Sequence, residues 1–204
     1  MKVLLINGSP HEKGCTYTAL SRVAQTLNQR DIDTEILHIG SGSIPGCTAC
    51  SGCSRTKRCV FDDAVNQAIE KAEGADGLVF GTPVYFSSPA GSMVSFMDRM
   101  FNAGSFYHKP AAVVASARRG GCTSALDVLL KYPTYQQMPL VSGDYWPIVY
   151  GNTPEEVLRD EEGIFTMETV GRNMAWLLRC IEAGRNAGAQ PETVKKEIWT
   201  NFIR

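Results

Sequence analysis

"KVLLINGSPHEKGCTYTAL", residues 2–20, decides how the rest of the chain is read. Residues 2–8 are a short apolar run that ends in Gly8, the pattern of a buried strand. From Thr16 the apolar period changes. Leu20, Val23, Ala24 and Leu27 fall at i, i+3, i+4 and i+7, one face of a helix. The joint between strand and helix carries three small hydroxyls, Ser9, Thr16 and Thr18, with Gly8 and Gly14 for sharp turns. A helix start offers free N–H groups and the positive end of its dipole, so the loop suits a phosphate monoester. Lys13 and His11 can add charge there. The plainer alternative is a Ser/Thr helix cap with no ligand.

Other phosphate loops are absent. The chain has no G-x-x-x-x-G-K-[ST], and the loop is not G-x-G-x-x-G. No cysteine has an arginine six positions on, as a Cys-x5-Arg phosphatase needs. Asn7 and Thr82–Pro83 stand where a phosphate-accepting regulator needs acids.

Outward from this unit, strand and helix alternate. Strands are predicted at 33–39, at 75–85 (stopped by Pro83), at 109–117 and around 139–150 (broken by Pro147). A helix opened by Asp62 and Asp63 buries Val65, Ala68, Ile69 and Ala72 and closes at Gly74. A second shares a stripe of Val94, Met97 and Phe101, a third runs from about 123 to 131, and a long one from about 164 to 184. The long helix places Val170, Met174, Leu177, Leu178 and Ile181 on one face. Such alternation means a parallel sheet covered by helices on both faces. Ligands then sit beyond the carboxyl ends of the strands, at the topological switch point.

Composition narrows the function. The chain has 204 residues, 44% of them hydrophobic and 20% charged, with a formal net charge of −1. Nothing in that balance asks for nucleic acid or an anionic membrane. No apolar run is long enough for a signal peptide or a spanning helix, so a cytoplasmic protein is expected. Asp98–Arg99 reads as a helix-surface ion pair or an interface contact. No histidine or carboxylate constellation marks an acid or base, so no catalytic side chain is assigned.

Four of the seven cysteines crowd into "IPGCTACSGCSRTKRC", residues 44–59. Such clustering points to metal or redox chemistry before disulfides. In C-x2-C-x2-C three thiolates can converge on one centre, as in [4Fe–4S] loops, and Cys59 supplies a local fourth to Cys47, Cys50 and Cys53. Gly46 and Gly52 ease the path. Zinc also takes four thiolates but usually from two separated knuckles. A motif of free thiols is the third reading.

Four segments together resemble the flavodoxin-like NAD(P)H-dependent FMN reductases, in their iron–sulfur flavoprotein branch. They are "LLINGSPHEKGCTYTAL", "CTACSGCSRTKRCVFDD", "ADGLVFGTPVYFSSPAGSMVSFMDRM" and "ASARRGGCTSAL". The resemblance implies a three-layer α/β sandwich, one domain over 1–204 with a long C-terminal helix and tail. Its five-stranded parallel sheet has the order 2-1-3-4-5, with FMN at the C-terminal edge. It implies that the stretch from Ser9 through Lys13 and Thr16 to Thr18 grips the FMN phosphate. Pro83, Val84, Tyr85 and Phe86 lie against the isoalloxazine, and Ala117, Arg118, Gly120 and Gly121 flank its other side or polar edge. It also implies a [4Fe–4S] cluster on the four cysteines and a homodimer or homotetramer. Two departures stand out: Cys15 sits where an Asn is common, and Arg118–Arg119 where small residues are.

Two functions are weighed. One is an enzyme taking hydride from NAD(P)H through FMN to a second acceptor, which is a flavin, a quinone or a protein. The other is an electron carrier that uses FMN and a cluster without substantial NAD(P)H oxidation.

Overall fold

The computed structural model describes residues 1–192, 197–200 and 202. In chain order the elements are β1 (Lys2–Asn7), α1 (Cys15–Asn28), β2 (Asp33–His38), α2 (Cys53–Thr56), α3 (Ala64–Glu73), β3 (Gly77–Tyr85) and β4 (Ser88–Pro89). They continue with α4 (Gly91–Ala103), β5 (Ala111–Ala117), α5 (Cys122–Tyr135), β6 (Ile148–Tyr150), α6 (Pro154–Val157) and α7 (Glu161–Asn186). The sheet runs β2-β1-β3-β5-β6, all parallel, with β4 antiparallel to the end of β3. Counting only the parallel strands, this is the flavodoxin-like order 2-1-3-4-5.

The alternation of strand side chains builds the three layers. Leu4, Ile6, Leu78, Phe80, Val113 and Ala115 face a core filled from α3, α4 and α5. Val3, Leu5, Val79, Ala112 and Val114 face the opposite core, filled from α1 and α7. Each large aliphatic side chain buried this way contributes about 1.5–3 kcal/mol. The last turn of α3 is closed by a distant side chain: Lys109 Nζ donates to the carbonyls of Ala72, Glu73 and Ala75.

The structure corrects several expectations. The parallel ladder does end at Pro83, opposite Ser116, but the strand continues to Tyr85 because it changes partner. Val84 and Tyr85 pair with Pro89 and Ser88 in a tight hairpin. Val94 is only half-buried, and the buried stripe of α4 is Met93, Phe96, Met97, Met100 and Phe101. Leu177 and Ile181 are likewise half-buried, while Met167, Val170, Met174 and Leu178 pack inward. The helix after β5 continues past residue 131 to Tyr135.

The fifth strand is split. Leu140 bridges Ala111 and Val141 N donates to Ala111 O, the chain then leaves the sheet over residues 142–146, and it rejoins where Pro147 O accepts from Ala115 N and Ile148 stands opposite Ala115. The gap leaves a mainly apolar hollow of about 440 Å³ between Val113, Leu126, Leu130, Tyr145 and Trp146.

Candidate functional site

The loops at the carboxyl ends of β1, β3 and β5 meet at one edge of the sheet. In the first, Asn7 is fully buried and works as a post. Its Nδ2 donates to Glu12 O at 2.9 Å, and its Oδ1 accepts from Ser9 N at 3.1 Å. Gly8 N donates to Gly81 O at 2.9 Å. A Cβ on Gly8 would lie 2.5 Å from Met93 Sδ and 2.9 Å from Gly81 O, so the loop needs glycine there. His38 Nε2 adds a 2.8 Å contact to Ser9 O.

The three hydroxyls named from sequence are all engaged within the protein. Ser9 Oγ accepts from His11 N, and Thr18 Oγ1 donates to Gly14 O. Thr16 is 1% exposed, and its hydroxyl meets Ser116 Oγ at 2.8 Å. That bond ties the start of α1 to the end of β5. Lys13 is exposed and shares a groove along α1 with Tyr17 and Ser21. What the loop offers an anion is backbone. Gly14 provides no side-chain cap for α1, and the first turn holds no acidic residue, so its leading N–H groups are left for a ligand or water.

The β3–β4 hairpin turns through Phe86 at φ 50° and Ser87 at φ 58°. Two consecutive left-handed residues are the geometry that Asn-Gly usually serves. Phe86 is fully exposed at its tip, and Tyr85 is nearly half-exposed. Thr82 Oγ1 pins the base by accepting from Ala90 N at 3.1 Å. Gly121 (φ +95°) presses on this hairpin: a Cβ there would come within 2.8 Å of Ser87 Cα. Gly120 faces open space, Arg118 and Arg119 are exposed, and Ala117 is buried. Pro83 and Val84 are half-buried beneath. Behind the loop, burial pushes the Cys122 thiol up to about 11. Tyr150, opposite Ala117, also reaches this edge, and only the fold shows it.

Cys47, Cys50, Cys53 and Cys59 line one small cavity of about 30 Å³, together with Arg99 and Asn102 of α4. Ala49 and Ser51, both left-handed, curl the chain around Cys50, while Gly46 and Gly52 keep ordinary φ. Gly52 matters for space, since a Cβ would sit 2.8 Å from Val60 Cγ1. The Gly52 and Thr48 hydrogen bonds pull the Cys50 thiol below its ordinary value. Asn66 fastens the far end, accepting from Cys59 N and donating to Cys59 O and Phe61 O.

Arg99 overturns its sequence reading. It is 1% exposed and no surface residue. Its guanidinium grips Asp63 through two bonds of 2.7 and 2.8 Å, and stacks on Phe61 at 4.9 Å. It also donates to Pro45 O, to Phe61 O and, through Nε, to Cys59 Sγ at 3.1 Å. Burial alone would lower its pKa, but Asp63 and Cys59 outweigh that and raise it. Asp98 instead accepts from Tyr132 OH at 2.6 Å.

Among the described residues no three His, Cys, Asp or Glu side chains converge as ligands of a single ion. Zinc would need all its thiolates about 2.3 Å from one point. Four thiols spread around a cavity, with N–H donors at Cys47, Cys50 and Cys59, suit a cluster, where each thiolate takes its own iron.

A parallel sheet of this order, with an uncapped helix start at its switch point and two tight loops beside it, defines a flavodoxin-like fold with a binding edge. The chain belongs to the NADPH-dependent FMN reductase family, which matches residues 1–153, and it is thereby an FMN-dependent oxidoreductase. It is similar to an iron–sulfur flavoprotein of Archaeoglobus fulgidus, 32% identical over 80% of this chain and 83% of that one. An iron–sulfur flavoprotein of Methanocaldococcus jannaschii is 25% identical over 89% of this chain and all of its own. Among solved structures, RosB with bound 8-demethyl-8-formylriboflavin-5'-phosphate superposes with a TM-score of 0.70 at 14% identity, covering all of this chain and 94% of that one. Among the described residues no helix is long and apolar enough to cross a membrane.

Proposed function

We propose that the protein oxidises NAD(P)H and passes the electrons to a second acceptor. FMN would be held at the C-terminal edge of the sheet and a [4Fe–4S] cluster by Cys47, Cys50, Cys53 and Cys59. The observation that carries the reading is the uncapped start of α1, tied through Thr16–Ser116 to the strand whose loop packs on the 85–88 hairpin. Bound FMN supplies an acceptor that takes electrons in pairs and releases them singly.

The protein's part is positioning and charge. The first-turn N–H groups of α1 hold the phosphate, with the Ser9–Thr18 segment shaping the cradle and Lys13 adding nearby charge. The hydroxyls of Ser9, Thr16 and Thr18 act mainly by fixing that backbone. Pro83, Val84, Tyr85 and Phe86 form an apolar wall for a flat ring. Ala117, Gly120 and Gly121 let backbone approach the ring edge, and Arg118 offers a cation where negative charge builds on reduction. No side chain need shuttle a proton.

The alternative, an electron carrier with little NAD(P)H oxidation, draws on the exposure of Cys47 and Cys50, which leaves the loop open to a protein partner. Assembly as a homodimer or homotetramer belongs to the proposal and rests on the resemblance alone. Met97, Met100, Phe101 and Phe106 are core residues and lend it nothing.

Anaerobic stopped-flow with NADH and NADPH tests the reading. Flavin bleaching by either nicotinamide supports the reductase, and bleaching by neither favours the carrier. Iron and sulfide analysis of the same protein, with about four of each per chain expected, tests the cluster. Arg118→Ala should slow flavin reduction more than it weakens FMN, because its charge matters only as the ring is reduced.

A further inference from the structure

The cysteine loop is exposed, yet one of its sulfurs touches a buried cation, Arg99, which is 1% exposed. Arg99 and Asn102, three residues apart, lie on one face of α4. Arg99 Nε donates to Cys59 Sγ at 3.1 Å, and Asn102 Nδ2 lies 3.9 Å from Cys47 Sγ. Arg99 has no rotamer freedom to spare: Asp63, Pro45 O, Phe61 O and the Phe61 ring hold the guanidinium plane. Asp63 is held in turn, since its Oδ1 also accepts from Val65 N at the start of α3. The N–H aimed at Cys59 is therefore preorganised by contacts that do not involve the cysteines.

Resting on the reading of the loop as a cluster site, we infer that Arg99 is a positioning residue that sets the reduction potential, with Asp63 as its counterweight. A thiolate gains negative charge when its cluster is reduced. An N–H donor at that sulfur stabilises the reduced state more than the oxidised one and so raises the potential. The carboxylate of Asp63 offsets the guanidinium charge and works in the opposite direction. The two residues therefore make opposite contributions at one site, though they form one ion pair. A purely structural pair would give changes of the same sign, or none.

The test is an EPR-monitored redox titration of the anaerobically purified full chain, with iron counted in each sample. Arg99→Gln keeps a planar side chain but loses the charge and the fork. It should shift the one-electron equilibrium toward the oxidised cluster by about tenfold, 59 mV to the negative. Asp63→Asn keeps the oxygen that caps α3 and should shift the potential to the positive. Full iron with an unchanged potential in both variants, or shifts of the same sign, would overturn the role of Arg99. Wild type without about four irons per chain would overturn the cluster reading, and this inference with it. Arg99→Lys covers the case in which Arg99→Gln does not fold: it keeps the charge, loses the directed fork, and should fall between wild type and Arg99→Gln.

Discussion

The loops that follow β1 and β2 do similar work by opposite means. The loop after β1 is short and rooted in a buried start at Gly8 and Ser9, and its hold is spread over many small bonds: Asn7, Gly8, Ser9, Thr16 and His38 each contribute one or two. The loop after β2 lies mostly in solvent from Gly46 to Arg58, and a few residues tether it: Arg99 and Asn66 at the Cys59 end, Asn102 at Cys47 and Cys53, and Glu70 at Arg58. A site held by many weak contacts should degrade gradually as they are removed. One tethered by a few residues, with a buried arginine among them, should lose much of its order when that arginine is removed.

The harshest way to break this comparison is Arg99→Ala. It leaves Asp63 without its partner and the Cys59 end of the loop held by Asn66 alone, at a cost of about 3 kcal/mol. Hydrogen exchange should show amides near residues 44–61 losing protection while residues 3–18 keep theirs. Equal loss in both would mean that the two loops are one cooperative unit.

Gly81→Ala attacks the other loop from below. Its Cβ would lie 2.9 Å from Leu20 Cδ1 and 3.0 Å from Thr16 Cγ2, so α1 must shift, costing about 2 kcal/mol. FMN affinity should fall, and iron content should not change. A loss of iron here would show the loops to be coupled.

Thr16→Ala sharpens the comparison with a smaller change. It leaves Ser116 Oγ without its buried partner, a loss of about 1 kcal/mol. FMN titration should show less than a tenfold weakening, since backbone rather than this hydroxyl faces the phosphate. A loss of tenfold or more would restore the hydroxyl as a direct ligand.

The smallest effect is acid loosening of the β2 edge. Hydrogen bonds from Lys2 and Lys71 lower the Glu35 pKa below its ordinary 4.5. The folded value lies below the unfolded one, so this stabilisation is present above about pH 4.5 and is lost as pH falls through the folded value. Glu35 is partly exposed, so less than about 1 kcal/mol is at stake, and salt should reduce it further. Glu35→Gln should flatten that part of the stability–pH curve.

The parallel sheet could be read from sequence because its central strands are buried on both faces and the helices keep a clean period, whereas its order 2-1-3-4-5 came from the resemblance. Leu20, Val23, Ala24 and Leu27 are buried as their spacing requires. Chain punctuation was legible only in part: Pro83 does end one ladder, but pairing with Ser88–Pro89 is not written in the local pattern. The four cysteines could be gathered from their spacing alone. Arg99 could not be placed, since its partner Asp63 lies 36 positions away and a charge in an apolar stripe reads as surface. The sequence places the hydroxyls of Ser9 and Thr16 at the phosphate loop but not their partners: Ser9 Oγ accepts from His11 N, and Thr16 Oγ1 meets Ser116 Oγ, 100 positions away.

The split fifth strand bears on solubility. A full-length strand at that border would present a continuous row of N–H and C=O groups, a template on which another chain could extend the sheet. Here the pairing at Leu140 and Val141 and the pairing at Ile148–Tyr150 are separated by residues 142–146, which leave the ladder, and Pro147 has no N–H to offer. The opposite rim, β2, carries Asp33 and Glu35 among its six residues, and charge discourages stacking there. The same interruption that opens the hollow beside Val113 thus makes the sheet a poor seed for fibril growth. Rebuilding residues 142–146 as a regular strand should make the protein more prone to aggregate, even if its thermal stability rose.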